Sequence, residues 1–398
     1  MHNSELQLII VLSSLLLIAP FLSNLIKLPI VVVEILLGSL FSFFGFLPEN
    51  HLFELLSEVG FLYLMFLAGM EVNLRELFKI EKKIFYLSLF FISLLYLLSI
   101  IVVWMFNLSN IYVVIFPLIS VGLIVSLQKE IDKSDWISLA MTVGVIGELI
   151  SIIALTVLSG VFSYGFSLEL YKVITILFLL IFLFVIGYFV IKSVFWWFPN
   201  IKHIMMPNDD KYNQDIRISF AIFFLMISIM LFLDLDVVLG AFVAGMFVIS
   251  FFYHNRELEH KLSPFGFGFL ITLFFIHVGS GFNLNMLFNL ELLKISIFIL
   301  SIMFIIRIVS SLVFVKRIGR DNIIVFGLSL SMPLTLLIAI ATIAYNGKSI
   351  DSLHYNAFIL ASIIEVLFVM LFIKKISQNK LPTDTAFIKK SEKKDKKK

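Results

Sequence analysis

Thirteen long apolar runs dominate this chain, and they leave few folds open to it. They cover residues 6–23, 29–46, 52–70, 83–107, 111–127, 136–161, 169–197, 215–233, 235–252, 264–281, 293–315, 321–345 and 354–376. A bilayer core about 30 Å thick is crossed by roughly 20 apolar residues in a helix. A membrane barrel needs shorter strands of alternating polarity, which these continuous runs do not supply. The reading is an all-α polytopic membrane protein of about 13 transmembrane helices. Composition excludes a soluble enzyme: 61% of residues are hydrophobic and 14% charged, against about 45–50% and about 25% in soluble domains. A soluble fold of that make-up would expose large apolar patches. The first run follows MHNSEL, which lacks a basic stretch, so it reads as a retained span and not a cleaved signal peptide. Cysteine is absent, which rules out thiolate metal sites and catalytic thiols. No metal-enzyme, nucleophile or phosphate-loop motif stands out, so no enzyme activity, cofactor, resident metal or nucleic acid partner is expected.

Charge placement gives the orientation. With the N-terminus outside, all thirty basic residues except Lys172, Lys294, Lys348 and Arg307 fall in inner loops or in the tail. That loop-by-loop bias is the positive-inside rule, and one span more or fewer would break it. Residues 1–376 then form the membrane domain. Residues 377–398, ending in KKSEKKDKKK, form a basic cytoplasmic tail, expected to be disordered or drawn to anionic lipid. The tail is too short for a folded domain, so gating through a nucleotide-binding fold is not expected.

The two halves of the chain resemble each other. MFLAGMEVNLRELF in segment three aligns with FIHVGSGFNLNMLF in segment ten, placing Gly69 on Gly279 and Asn73 on Asn283. VVVEILLGSLF in segment two aligns with VVLGAFVAGMF in segment nine, placing Gly38 on Gly245, and VIGELIS and SIIEVLF place Glu148 on Glu365. Repeat one is therefore 6–161, repeat two is 215–376, and 169–197 is a linker helix. Equivalent spans lie seven apart, an odd number, so the second copy is inverted. Inverted repeats mark secondary transporters, with the substrate site near the bilayer midplane on the repeat interface.

Both copies carry a break at the same place. Segment five holds Pro117, Ser120 and Gly122; its partner, segment twelve, holds Gly327, Ser329, Ser331 and Pro333. Proline removes a donor and clashes with the preceding turn. The freed carbonyls and half-helix ends can face a cation; a simple proline kink is the plainer alternative.

Few ionisable residues lie deep in the spans, where each costs about 2.5–3.5 kcal/mol on insertion scales. Glu148, mid-way along segment six, is the main candidate. Burial favours a protonated carboxyl and a nearby cation favours an ionised one. Balanced between the two, a single carboxyl can hold a proton or a metal cation, and mutually exclusive occupants are the minimum machinery of exchange. Arg307 in segment eleven keeps its proton; it either neutralises Glu148 in the empty carrier or pairs with backbone carbonyls. Glu365 is a second acid or a helix-packing hydrogen bonder. His277 and Glu34 rank below these, as a buried hydrogen-bonding residue and as a crevice-lining one.

These motifs resemble one family, the bacterial monovalent cation/proton antiporters of the Kef- and Nap-type branch. KLPIVVVEILLGSLFSFFGFLP resembles its opening segment, LSEVGFLYLMFLAGMEVNLRELFK its most recognisable stretch, and LGAFVAGMF and FFIHVGSGFNLNMLF its later glycine motifs. The resemblance runs from about residue 8 to 376. It implies a scaffold, often dimeric, of segments 1–3 and 8–10, hence an expected homodimer. It implies a moving core of segments 4–6 and 11–13, with segments five and twelve unwound and crossing. The family's adjacent polar pair falls on Gly147 and Glu148, its basic residue on Arg307, and its usual break in segment five on Ser120-Val121-Gly122. The resemblance implies exchange of Na⁺ or K⁺ for H⁺ by alternating access in a bacterial-type inner membrane. One acid at the pair position, with a permanent cation opposite, leads us to expect electroneutral exchange. A cation channel on the same fold, a carrier of another substrate and a non-transporting sensor remain as alternatives.

Overall fold

The structure is a computed structural model that describes residues 3–47, 50–72, 79–121, 124, 135–165, 167–198, 213–251, 257–282, 284–331 and 333–380. The described residues are helical or irregular, with no strand among them. The first half comprises α1 (Asn3–Ile26), α2 (Ile30–Phe43), α3 (His51–Glu71), α4 (Lys82–Phe106), α5 (Ile111–Ile115), α6 (Asp135–Tyr164) and α7 (Leu168–Trp197). The second comprises α8 (Gln214–Phe232), α9 (Val237–Phe251), α10 (Glu257–Phe265), α11 (Ile271–Ser280), α12 (Leu290–Ser311), α13 (Val315–Ile318), α14 (Ile323–Ser329), α15 (Leu334–Asn346) and α16 (Ser352–Lys380). Eight helices among the described residues are long and apolar enough to cross a membrane. The remaining apolar runs match α7, the shorter α2 and α9, and the two interrupted segments, α5 with its continuation and α14 with α15.

Helix packing sorts the elements into two groups. α1, α2, α3, α8, α9, α10 and α11 pack chiefly on one another, as do α4, α5, α6, α12, α14, α15 and α16; α6 meets α9 where the groups touch. In lipid the drive to associate is close van der Waals packing, which small residues permit. The first group shows this at four glycines. A Cβ on Gly38 of α2 would overlap the Ile276 carbonyl of α11, and one on Gly279 of α11 would overlap the Ile35 carbonyl of α2. Likewise Gly69 of α3 abuts the Phe242 carbonyl of α9, and Gly245 of α9 abuts the Phe66 carbonyl of α3. The α2–α11 and α3–α9 contacts thus pair the glycines that the repeat alignment matches, crosswise, as a two-fold relation between inverted copies requires.

Segment ten departs from the single helix expected. Pro264 lies in α10, and a π-helical turn, Gly266–Leu270, separates α10 from α11. Proline leaves a carbonyl without its i+4 donor, and the turn widens to five-residue spacing. The Phe267 carbonyl then receives the hydroxyl of Thr272, five residues on, at 2.7 Å. Ion pairs join parts of each group: Lys261 Nζ to Asp215 Oδ2 at 2.7 Å in the first, and Arg317 Nη2 to Glu81 Oε2 at 2.8 Å in the second.

Candidate cation and proton site

The site grows from the break in segment five. α5 stops at Ile115, and the chain continues in irregular form through Pro117 to Val121. Backbone groups that leave a helix inside a bilayer must find other partners. Here side chains supply them. Glu148 and Ser151, one turn apart on α6, share a face. The Ile119 N–H donates to Ser151 Oγ at 3.1 Å, and the Val121 N–H donates to Glu148 Oε2 at 3.2 Å. The Ser120 hydroxyl donates to Glu148 Oε1, also at 3.2 Å. Glu148 is 1% exposed and Ser120 5%. Among the described residues each carboxylate oxygen therefore has one donor, which leaves it room for another partner. Gly147 explains the close approach: a Cβ there would come within 2.5 Å of the Ile119 side chain. Where the resembling family carries a polar residue, this chain seats the apolar side chain of the break.

Segment twelve is built alike. α14 ends at Ser329, the chain breaks, and α15 restarts after Pro333, whose missing N–H falls where a helix start has no use for one. Ser331 is fully buried in this break. Arg307, on α12, ties the two breaks together. Its Nη2 donates to the Leu118 carbonyl, its Nε to the Leu330 carbonyl at 3.2 Å, and its Nη1 to the Met303 carbonyl at 3.0 Å. Of the two readings open for Arg307 in the sequence, the structure shows the pairing with carbonyls; none of these hydrogen bonds reaches Glu148.

The structure thus brings together Glu148, Ser120, Pro117, Arg307, Ser331, Pro333 and Glu365, all buried. Gly122 lies outside the described residues. His277 and Glu34 lie in the other helix group. His277 sits edge-on to Phe53, ring centroids 4.9 Å apart. Glu34 is 2% exposed and faces Thr272, whose Oγ1 is 2.8 Å from Glu34 Oε1. Thr272 has one hydroxyl proton, and the Phe267 carbonyl accepts only, so both Thr272 contacts are satisfied when Glu34 carries a proton. Sequence reasoning missed Ser151, which shares a helix face with Glu148 but is marked out only by its partner across the break, the Ile119 N–H. It also missed the Leu118 and Leu330 carbonyls and the Val121 N–H, for which side-chain identity gives no signal. Among the described residues no group of three or more His, Asp and Glu side chains is placed to hold a metal ion.

Comparison with known proteins agrees with this architecture. The sodium/hydrogen exchanger transmembrane family matches residues 11–375. The chain belongs to the sodium/hydrogen exchanger family. YjbQ of Bacillus subtilis strain 168, named for Na(+)/H(+) antiport, is 27% identical over 94% of the chain, and the chain spans 63% of that protein's length. Na(+)/H(+) antiporter 3 of Methanocaldococcus jannaschii is 24% identical over 79% of the chain and 81% of its own length. The solved structure of the sodium proton antiporter MjNhaP1 from the same archaeon superposes with a TM-score of 0.68. It covers 94% of this chain and 98% of its own, at 14% identity, so the likeness is one of fold. Membership in the exchanger family agrees with the resemblance read from the glycine motifs.

Proposed function

We propose that the chain is a secondary active transporter that exchanges Na⁺ or K⁺ for H⁺ by alternating access, with Glu148 as the site both ions share. One observation carries this reading: a fully buried carboxyl stands at the break of segment five, held by Ser120 and Val121, and among the described residues no fixed cation is bonded to it. A proton or an alkali ion is the natural partner of such a group. Ser120 steadies the carboxylate, Arg307 caps the carbonyl ends of both breaks, and Pro117 and Pro333 keep those ends open. Two relatives named for Na(+)/H(+) antiport favour Na⁺ as one of the cations.

Repeat one (6–161), linker helix (169–197) and repeat two (215–376) divide the membrane domain, and the 377–398 tail lies in the cytoplasm. The N-terminus faces outward across a bacterial-type inner membrane, and the protein is a homodimer through its scaffold helices. In the cycle, the second helix group moves against the first and carries Glu148 between the two sides. One proton for one cation leaves the charge on the site equal in both directions, so exchange is electroneutral. The test is a pH-sensitive dye in everted vesicles. Pulses of Na⁺ or K⁺ are expected to drive proton release at a rate unaltered by an imposed potential. Cation flux without proton movement would favour a channel, and a steep voltage dependence of about 2.3 kcal/mol per charge per 100 mV would refute electroneutrality.

A further inference from the structure

Arg307 raises a question of charge that the exchange site alone does not answer. It is 0% exposed, and its hydrogen bonds run to the neutral carbonyls of Met303, Leu118 and Leu330. Carbonyl dipoles offset part of a buried positive charge, and the remainder calls for a carboxylate. Four acids are buried among the described residues: Glu34, Glu148, Asp215 and Glu365. Glu34 faces Thr272 in the other helix group, and Asp215 pairs with Lys261. Glu148 has donors on both oxygens from Ser120 and Val121. α16, which carries Glu365, packs against α12, which carries Arg307; both side chains are fully buried, and Glu365 lies within electrostatic reach of Arg307 without a hydrogen bond to it. Glu365 Oε1 is buried without a hydrogen bond, and the Ser331 hydroxyl lies beside the carboxyl.

We propose that Glu365 is the standing counter-charge of Arg307, a positioning residue that leaves Glu148 free to change its occupant. This rests on the exchange reading above. Among the described residues no other acid competes for Arg307; α4, which also packs on α12, carries Lys82, Lys83, Tyr86 and Tyr96. α12 carries Glu291 and Lys294 only at its far end, sixteen and thirteen residues from Arg307, which is about 20 Å along a helix. α14 brings no titratable side chain, and α15 brings Tyr345, stacked on Tyr355 of α16. α16 itself has His354 near its start, with Asp351 just before it, and Lys374, Lys375 and Lys380 near its end. With Arg307 and Glu365 mutually neutralised, the Glu148 site is neutral with a proton and neutral with an alkali ion. Remove the Glu365 charge, and the guanidinium acts unopposed on Glu148 through the same break, since it holds Leu118, two residues before Ser120. Glu148 then gives up its proton more readily and holds the cation more weakly.

The experiment compares Glu365→Gln, Glu365→Asp, Arg307→Gln and Arg307→Gln/Glu365→Gln with the wild type in the vesicle assay across pH 6–9, with thermal melts of the purified proteins alongside. Glu365→Gln is expected to move the pH midpoint of exchange down by about one unit and to raise the KM for Na⁺. Glu365→Asp keeps the midpoint. Lower turnover in Glu365→Gln at an unmoved midpoint, or an alkaline shift, overturns the proposal. The melts read the pair without transport: the double variant is expected to lose less than Arg307→Gln and Glu365→Gln lose together, and strict additivity overturns it. A wild type inert to every cation would sink the exchange reading, while the melts would still decide the pairing.

Discussion

Replacing Gly69 by alanine strikes one of the closest helix contacts among the described residues. The new methyl would overlap the Phe242 carbonyl and press on the Phe242 Cα and carbonyl carbon. Backbone cannot rotate aside as a long side chain does, so α3 and α9 must part by about 1 Å. A gap of that size forfeits a quarter to a half of the dispersion energy at each affected contact. The contacts at stake belong to Phe66, Met70, Phe242 and Met246, all buried. Overpacking typically costs about 1–3 kcal/mol, and with backbone as the obstacle the expected loss is about 3 kcal/mol. The assay is thermal melting in mild detergent, read by the fraction that stays monodisperse. Gly187→Ala on α7 is the control, because a Cβ there meets nothing within 4 Å; alanine should leave it unchanged or firmer by about 0.5–1 kcal/mol. If Gly69→Ala melts with Gly187→Ala, the glycine contacts do not hold the helices together and the crosswise pairing loses its meaning.

Other consequences can be checked in the same preparations. Ser120→Ala removes one of two donors to Glu148; a hydrogen bond to a charged group contributes about 1.5–3 kcal/mol, so the proton is held about tenfold or more tightly. The pH profile of exchange should move to the alkaline side, and an unmoved profile would count against the Ser120 bond. Glu34→Gln keeps a donor for Thr272, so its melting temperature should match the wild type, while Glu34→Ala should melt earlier. Equal losses in both variants would contradict a protonated Glu34. The His354 backbone N–H, followed by its side chain, holds the Asp351 carboxyl below its ordinary value. A depressed carboxyl adds stability above the unfolded-state value and loses it as pH falls through the folded one. Asp351→Asn should therefore melt slightly earlier than wild type near neutral pH and no differently once the carboxyl is protonated; a gap that persists in acid would point to a cause other than charge. Asp351 is 63% exposed, so the effect is small.

Much of this architecture is legible in the residues because lipid punishes alternatives. The apolar runs had to be helices, and the glycines of segments two, three, nine and ten announced close contacts before any packing was visible. Glu148 and Ser120 were legible for the same reason: a deep carboxyl and a hydroxyl beside a proline break are costly unless they meet. What stayed hidden was backbone chemistry. Nothing in the letters Leu118, Val121 or Leu330 says that a freed carbonyl takes a guanidinium or that a freed N–H holds a carboxylate, so two partners stayed open for Arg307. The π turn at Gly266–Leu270 was hidden too, because its effect, a Thr272 hydroxyl reaching back five residues, depends on a hydrogen-bond register that apolar periodicity does not encode. Ser151 was missed for a simpler reason: a serine in an apolar helix usually bonds its own preceding turn, as Ser296 does with Leu292, and only the partner across the break sets Ser151 apart.

The account turns on Glu148 as the place where a proton and an alkali ion displace each other. The direct measurement is Na⁺- and K⁺-driven proton release from everted vesicles holding equal amounts of wild-type protein and Glu148→Gln, across pH 6–9. The account predicts release from wild type and none from the variant at any pH, although the variant is inserted and monodisperse. Exchange by Glu148→Gln at the wild-type rate would contradict it.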